Sequence, residues 1–404
     1  MESISRRRLL GYAGASAGAV GLGAVVAGCA DDRSAADANG SVLHPFRGEH
    51  QAGVTAPLAA AGIVVGLDLR VADRAELRQT FVELSTSIEK IMSGEPYEAR
   101  DGGFPAEDSG VLGETPGASG TAVVVGYGDS LFDDRFGLAN RKPVELQPMP
   151  RFSNDFLVTD ERSHGDLALT VTADNNDAAL TAVRQILRDT RGRFVPRWTR
   201  EGYANLLPDV GTGQAPMRNL MGFKDGTANL DHGDESVMDR HVWVQADDDQ
   251  PDWAVGGTYQ AIRVIRMQIE FWDRTRLNEQ EAIFGRHRGS GAPLGRDTES
   301  DTPVFGDDLE SHIARANPRT PGTEENLILR KGFNYASGFD QNDQLDQGLI
   351  FMSFQRSLEK GFIAVQRRLD GEVLEEYIRP VGGGVYFCPP APSQGEFLGE
   401  QLLA

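Results

Sequence analysis

The chain has 404 residues, of which 40% are hydrophobic, 25% charged and 8% aromatic, a globular composition that excludes collagen-like and disordered classes. Acidic residues outnumber basic ones 60 to 40, for a formal charge of -20, which repels phosphate backbones and argues against nucleic acid as a partner. Two cysteines, Cys29 and Cys388, cannot build a disulfide framework or a four-thiolate metal site, and the length predicts two domains or one large one.

Residues 1–29 hold one acidic residue, Glu2, and open on Ser5-Arg6-Arg7-Arg8-Leu9-Leu10 ahead of a run of Ala, Gly and Val. A basic head, an apolar middle and a small-residue exit are the parts of a secretory signal. The arginines before two leucines resemble a twin-arginine signal. The middle is too weakly apolar and too short for a permanent membrane span. Val26-Ala27-Gly28-Cys29 resembles a lipobox. If used, it leads to acylation of Cys29 and a tether at the outer face of the membrane; otherwise the leader is cut near Ala30. The expected location is extracytoplasmic, either periplasmic or secreted. Residues 30–45 are polar and small and predict a flexible lead-in.

From there a strand followed by a helix recurs four times. Gly62 to Leu69 (GIVVGLDL) reads as a strand, and Leu77, Phe81, Leu84, Ile88 and Ile91 then recur at helical spacing. Asp166 to Ala173 alternates like a strand, and Leu180, Val183 and Leu187 mark a second helix capped by Asn175 or Asn176. Tyr259 to Ile269 predicts a third strand, with a polar helix over 274–284. Gly348 to Phe354 is an apolar strand, with Leu358, Phe362, Val365 and Leu369 on one helical face. The Gly/Pro/Asp-rich stretches 93–120 and 285–302 predict long surface loops. This alternation predicts two related α+β halves, divided in the Pro/Gly-bearing region 205–215, as an N-terminal domain over 46–210 and a C-terminal domain over 211–404.

HExxH, paired CxxC, P-loop and strand-linked GxGxxG patterns are missing, and the one GxSxG match, Gly14-Ala15-Ser16-Ala17-Gly18, falls in the signal-like leader, which removes the common hydrolase, NTPase and dinucleotide readings. A single-histidine site remains open, because haem needs only one axial imidazole. Two segments stand out. In Asn219-Leu220-Met221-Gly222-Phe223-Lys224-Asp225-Gly226-Thr227-Ala228-Asn229, a tight glycine-bearing turn presents one carboxylate. By itself it is equally an ordinary Asx turn. The other segment is His312-Ile313-Ala314-Arg315-Ala316-Asn317-Pro318-Arg319, followed by Leu327-Ile328-Leu329-Arg330-Lys331-Gly332-Phe333.

Together these segments resemble the dye-decolourising peroxidase family, and most closely its secreted, Efe-type deferrochelatase/peroxidase branch. The resemblance continues through Phe46-Arg47-Gly48-Glu49-His50-Gln51-Ala52-Gly53, His164-Gly165-Asp166-Leu167, Phe271-Trp272-Asp273-Arg274-Thr275, Gly348-Leu349-Ile350-Phe351 and Pro380 to Gly384. It spans roughly residues 44–390. It implies a pair of ferredoxin-like modules of the dimeric α+β barrel type, with haem b bound mainly by the C-terminal half. By motif match, His312 is the axial iron ligand, Asp225 the acid–base residue and Arg330 the partner arginine, eighteen residues after His312. Haem-contacting segments map onto Gly226, Thr227 and Ala228, and onto Asn317, Pro318 and Arg319, with Phe351 and Phe354 lining the pocket. One departure is Ala314, where relatives carry a basic residue two positions after the ligand; Arg315 is its basic neighbour.

The implied activity is an exported peroxidase that uses hydrogen peroxide to oxidise dyes or phenols. Oxidising equivalents would reach bulky donors through aromatic residues, with Trp198, Trp243, Trp253, Trp272, Tyr335, Tyr377 and Tyr386 as candidates and Trp272 the one expected in the core. One alternative is a deferrochelatase that releases iron from haem with the porphyrin intact. Another is a non-catalytic haem- or iron-binding lipoprotein of an iron-uptake system. The resemblance also suggests a homodimer.

Overall fold

The computed structural model describes residue 36 and residues 40–404, apart from 99, 115, 207–216, 307–308 and 341. The leader, Cys29 and the expected division near 205–215 lie wholly or mostly outside the described residues. After a helical turn α1 (Ala52–Thr55), the first half runs β1 (Ala61–Leu69), α2 (Arg74–Ser93), β2 (Ala122–Gly128), β3 (Leu167–Ala173), α3 (Asn176–Asp189) and β4 (Phe194–Tyr203). A connecting helix α4 (Glu235–His241) follows. The second half then runs β5 (Thr258–Met267), α5 (Ile269–Trp272), α6 (Leu277–Phe284), α7 (His312–Ala316), β6 (Leu329–Phe339), β7 (Leu345–Gln355), α8 (Ala364–Leu369) and β8 (Ile378–Cys388).

Local chemistry sets the ends of the helices. Asp73 accepts a hydrogen bond from the Glu76 N–H at the start of α2, and Gly94 closes that helix in the left-handed region at φ +68°. Asn175 caps α3 through the Ala178 N–H. The polar helix expected from residue 274 begins later, at Leu277, because the backbone first makes a separate turn at Ile269–Trp272.

Each half has the strand order of a ferredoxin-like module, β4-β1-β3-β2 and β8-β5-β7-β6, and the two close into one antiparallel barrel through β2–β8 and β6–β4. These seams are short. The first pairs Tyr127 with Phe387 and Gly128 with Tyr386; the second pairs only Tyr203 with Asn334. The Tyr386 hydroxyl adds a side-chain tie across the first seam, donating at 2.8 Å to the His164 carbonyl, which also accepts from Trp198 Nε1 of its own module at 2.7 Å. Val64, Ala168, Ile262, Val264, Ile350 and Met352, drawn from both modules, meet in one buried cluster. On the outer face of the first module, Leu77, Phe81, Leu84 and Ile88 of α2 pack on Ile63, Val65 and Leu67 of β1.

The second module is joined to the segment before β1 by Lys331 of β6, which donates to the carbonyls of Gly53 at 2.9 Å and Ala56 at 2.5 Å. Burial pushes its pKa down from 10.5 to about 7. A depressed lysine pKa means that the folded chain binds fewer protons than the unfolded one between about 7 and the ordinary lysine value, so this group makes stability rise with pH across that window. Denaturant titrations at pH 6.5, 8 and 9.5 check this. The wild type is expected to gain stability over Lys331→Met as pH rises, whereas parallel pH profiles would refute the shift.

Candidate active site

A cavity of about 270 Å³ lies against the outer face of the second module's sheet. Side chains on a strand alternate between faces, so the residues that reach it share one parity: Arg263, Ile265 and Met267 of β5, Leu349 and Phe351 of β7, and Ile378 and Pro380 of β8. Helices α7 and α8 and the turn at 372–375 complete the wall. Arg263 also forms a fully buried ion pair with Asp155, in which both side chains are 3% exposed, fixing the sheet to the loop beneath it.

His312, Asp225 and Arg330, separated by up to 105 residues in the chain, all line this one cavity. His312 opens α7, and its Nδ1 lies 2.7 Å from Glu372 Oε2. Glu372 is 5% exposed. A carboxylate at that distance fixes the tautomer with the proton on Nδ1 and leaves Nε2 as the free donor atom. Burial disfavours the charged ring, yet the charge of Glu372 and its hydrogen bond outweigh it and raise the His312 pKa; Arg330 opposes and Asp225 reinforces the shift.

Asp225 sits in a loop with no regular structure, so its position depends on ties to other elements. Gly226 takes φ +87° and Ala228, unusually for a residue with a Cβ, φ +55°. The Asp225 N–H donates to the Met217 carbonyl at 2.7 Å, and Trp272 Nε1 donates to the Met221 carbonyl at 3.0 Å. Trp272, 1% exposed, is thus a core residue, and it also braces this loop. Asn229 and Arg330 exchange hydrogen bonds: the Asn229 amide donates to the Arg330 carbonyl, and the Arg330 N–H donates to Asn229 Oδ1. The Arg330 guanidinium donates to the Thr227 carbonyl at 2.8 Å.

Gly226, Thr227, Ala228, Asn317, Arg319 and Phe351 line the cavity, as the sequence led us to expect; Pro318 does not. Phe354 is a correction. It lies three residues from Phe351, hence on the opposite face of β7, and is buried with Val54, Val124, Trp243 and Cys388. Arg315 also turns away, toward Glu310 and the Asp370 carbonyl. Cationic charge comes from elsewhere. Arg286, which sequence reasoning missed, and Arg319 line the cavity. Arg286 donates to the carbonyls of Gly291 and Glu299, and Arg319 to that of Asn317. Burial lowers both pKa values, and the charges of Arg319 and Arg330 lower that of Arg286 further. Guanidiniums crowded at a cavity wall and bonded to neutral carbonyls suit a ligand carrying carboxylates. With one free imidazole nitrogen and a largely apolar wall, the residues fit an iron tetrapyrrole.

Two family signatures cover the chain. Residues 51–204 match "Dyp-type peroxidase, N-terminal" and residues 216–393 match "Dyp-type peroxidase, C-terminal". Among curated relatives, the deferrochelatase of Escherichia coli strain K12 is 42% identical over 368 residues, covering 89% of this chain and 87% of the relative. That of Shigella flexneri serotype 5b is 42% identical over 409 residues, covering 99% and 97%. Among solved structures, ferric DtpA from Streptomyces lividans superposes with a TM-score of 0.81 at 33% identity, covering 90% of this chain and 98% of that one. The DyP-type peroxidase from Cellulomonas bogoriensis gives 0.79 at 34% identity, covering 90% and 99%. The chain therefore belongs to the Dyp-type peroxidase family, whose members are haem enzymes.

Proposed function

We propose that this protein is an exported haem peroxidase that uses hydrogen peroxide to oxidise dyes, phenols or similar donors. The observation that carries the reading is the convergence of His312 with its Glu372 partner, Asp225 and Arg330 on one cavity. When bound, haem would supply the redox chemistry. The chain supplies the rest. His312 Nε2 would hold the iron, and the hydrogen bond to Glu372 would make the imidazole a stronger donor. Asp225 takes a proton from one peroxide oxygen and returns it to the other, a type of help worth ~10²–10⁴-fold in rate. Arg330, permanently charged, stabilises the negative charge that develops on the leaving oxygen. Arg286 and Arg319 would hold the carboxylates of the tetrapyrrole, and Phe351, Leu349 and Ile265 would help exclude water from the cavity.

The names of the curated relatives favour a second reading, in which haem is the substrate and iron is released with the porphyrin intact. Release of metal-free protoporphyrin from added haem supports that reading, while haem that survives many peroxide turnovers supports the first. The Ser5-Arg6-Arg7-Arg8-Leu9-Leu10 leader and Cys29 support export by the twin-arginine route, with either a soluble periplasmic product or a lipid-tethered one. A tethered deferrochelatase would suit an iron-uptake system, and a homodimer is the assembly we expect.

Peroxide kinetics test the roles. Asp225→Asn and Arg330→Ala are each expected to lower kcat/KM for hydrogen peroxide by about 100-fold or more, and wild-type rates of peroxide-driven haem oxidation in both would sink the assignment. His312→Ala is expected to abolish the haem Soret band of the purified protein. Haem titration of Glu372→Gln should show about 10–100-fold weaker binding than wild type; unchanged affinity would mean that the 2.7 Å contact does nothing for the ligand.

A further inference from the structure

Glu299 lies in the loop between α6 and α7, more than 70 residues beyond Asp225, yet its two carboxylate oxygens grip the residues on either side of that aspartate. Lys224 Nζ donates to Oε2 at 2.7 Å and Thr227 Oγ1 donates to Oε1 at 2.8 Å. Thr227 also passes the connection on, because its carbonyl accepts from the Arg330 guanidinium. The same carboxylate therefore anchors the loop that carries Asp225 and the peptide that orients Arg330.

The surroundings are shaped for this grip. Gly291 adopts φ +77°, and a Cβ there would stand 2.7 Å from Lys224 Cδ and 3.3 Å from Glu299 Cγ, so the lysine stem and the glutamate pass through a notch that only glycine leaves open. Asp301 accepts from the N–H groups of Asp297 and Thr298 and fixes the turn on which Glu299 stands. The Arg286 guanidinium donates to the Glu299 carbonyl. Burial disfavours the carboxylate, but the hydrogen bonds from Lys224 and Thr227 and the charges of Lys224 and Arg286 hold its pKa below the usual value. Lys224 is 5% exposed at its side chain and lines the same cavity as Asp225. Without Glu299, its ammonium would have a neighbouring carboxylate to turn to, that of Asp225.

We propose that Glu299 is a positioning residue of the peroxidase site: it holds Asp225 in place through Lys224 and Thr227, and it keeps the Lys224 ammonium from neutralising the Asp225 carboxylate. The inference rests on the peroxidase reading above. A salt bridge with no such role would leave the chemistry untouched when weakened. A strut of this kind would not, since a misplacement of about 1 Å can cost on the order of 100-fold in rate.

The test uses the haem-loaded protein and two readouts. In Glu299→Gln, kcat/KM for hydrogen peroxide is expected to fall by about tenfold or more, with the KM for the dye within about twofold of wild type. The Kd of the ferric protein for cyanide, which arrives as HCN and must give its proton to a base in the cavity, should rise by a similar factor. Adding Lys224→Met to Glu299→Gln should recover part of both losses, because the competing ammonium is gone. Gly291→Ala, which crowds the pair without touching its charges, should show the same split and takes over the test if Glu299→Gln fails to load haem. Wild-type peroxide kinetics and cyanide affinity in Glu299→Gln or Gly291→Ala would overturn the proposal, provided that Asp225→Asn is impaired. If Asp225→Asn is also unimpaired, the peroxidase reading itself falls.

Discussion

Alternation of side chains along β5, β7 and β8 is the constraint on which the site depends. One parity of each strand must fill the barrel, where Ile262, Val264, Ile350 and Met352 are buried. The other parity is left to face helices, and the helices here do not close over it completely. The sheet thus provides a rigid floor of Arg263, Ile265, Met267, Leu349 and Phe351, and the irregular segments bring the chemistry to it. The arrangement separates stability from function: the floor is set by hydrogen-bonded register, while Asp225 and His312 arrive on a loop and on a five-residue helix that other residues must brace.

Charge is distributed against the trend of the whole molecule. The chain carries a formal charge of -20, yet Arg286, Arg319 and Arg330 meet at the cavity wall. Three acidic groups near the site are committed to partners, Glu372 to His312, Asp155 to Arg263 and Glu299 to Lys224. A ligand that brings carboxylates would relieve the mutual repulsion that lowers the Arg286 pKa. Anionic surroundings with a cationic recess also discourage indiscriminate anion binding, because the approach is repulsive until the recess is reached.

How much of this could be read from the chain depended on how local each signal was. The periodicity of Leu77, Phe81, Leu84 and Ile88 predicts α2, and alternation or apolar runs predict β1, β3, β5 and β7. Four strands went unread. β2 is a short apolar run, AVVVGYG, directly after a Gly/Pro/Asp-rich stretch. β4 exposes most of one face and contains Pro196, β6 mixes Arg330 and Lys331 with glycine, and β8 carries three successive glycines, so these three show no clear hydrophobic pattern. His312, Asp225 and Arg330 were legible because motif resemblance marks them. Glu372, Glu299 and Arg286 were not, being single charged residues whose meaning comes from partners 13 to 75 residues away. Phe354 shows the opposite error: in an apolar run such as GLIFMSF, composition cannot say which side chain faces which way.

The two short seams of the barrel dispose of every open sheet edge. Either module alone would end in two unpaired edges, β2 and β4 in one and β6 and β8 in the other, and open edges recruit whatever backbone is offered. Joining the two modules in one polypeptide pairs all four edges internally, with two ladder pairs at one junction and one at the other. One module keeps its outer face sealed by the long helices α2 and α3, while the other carries shorter helices and leaves a recess, so that one strand order serves as both scaffold and reaction vessel.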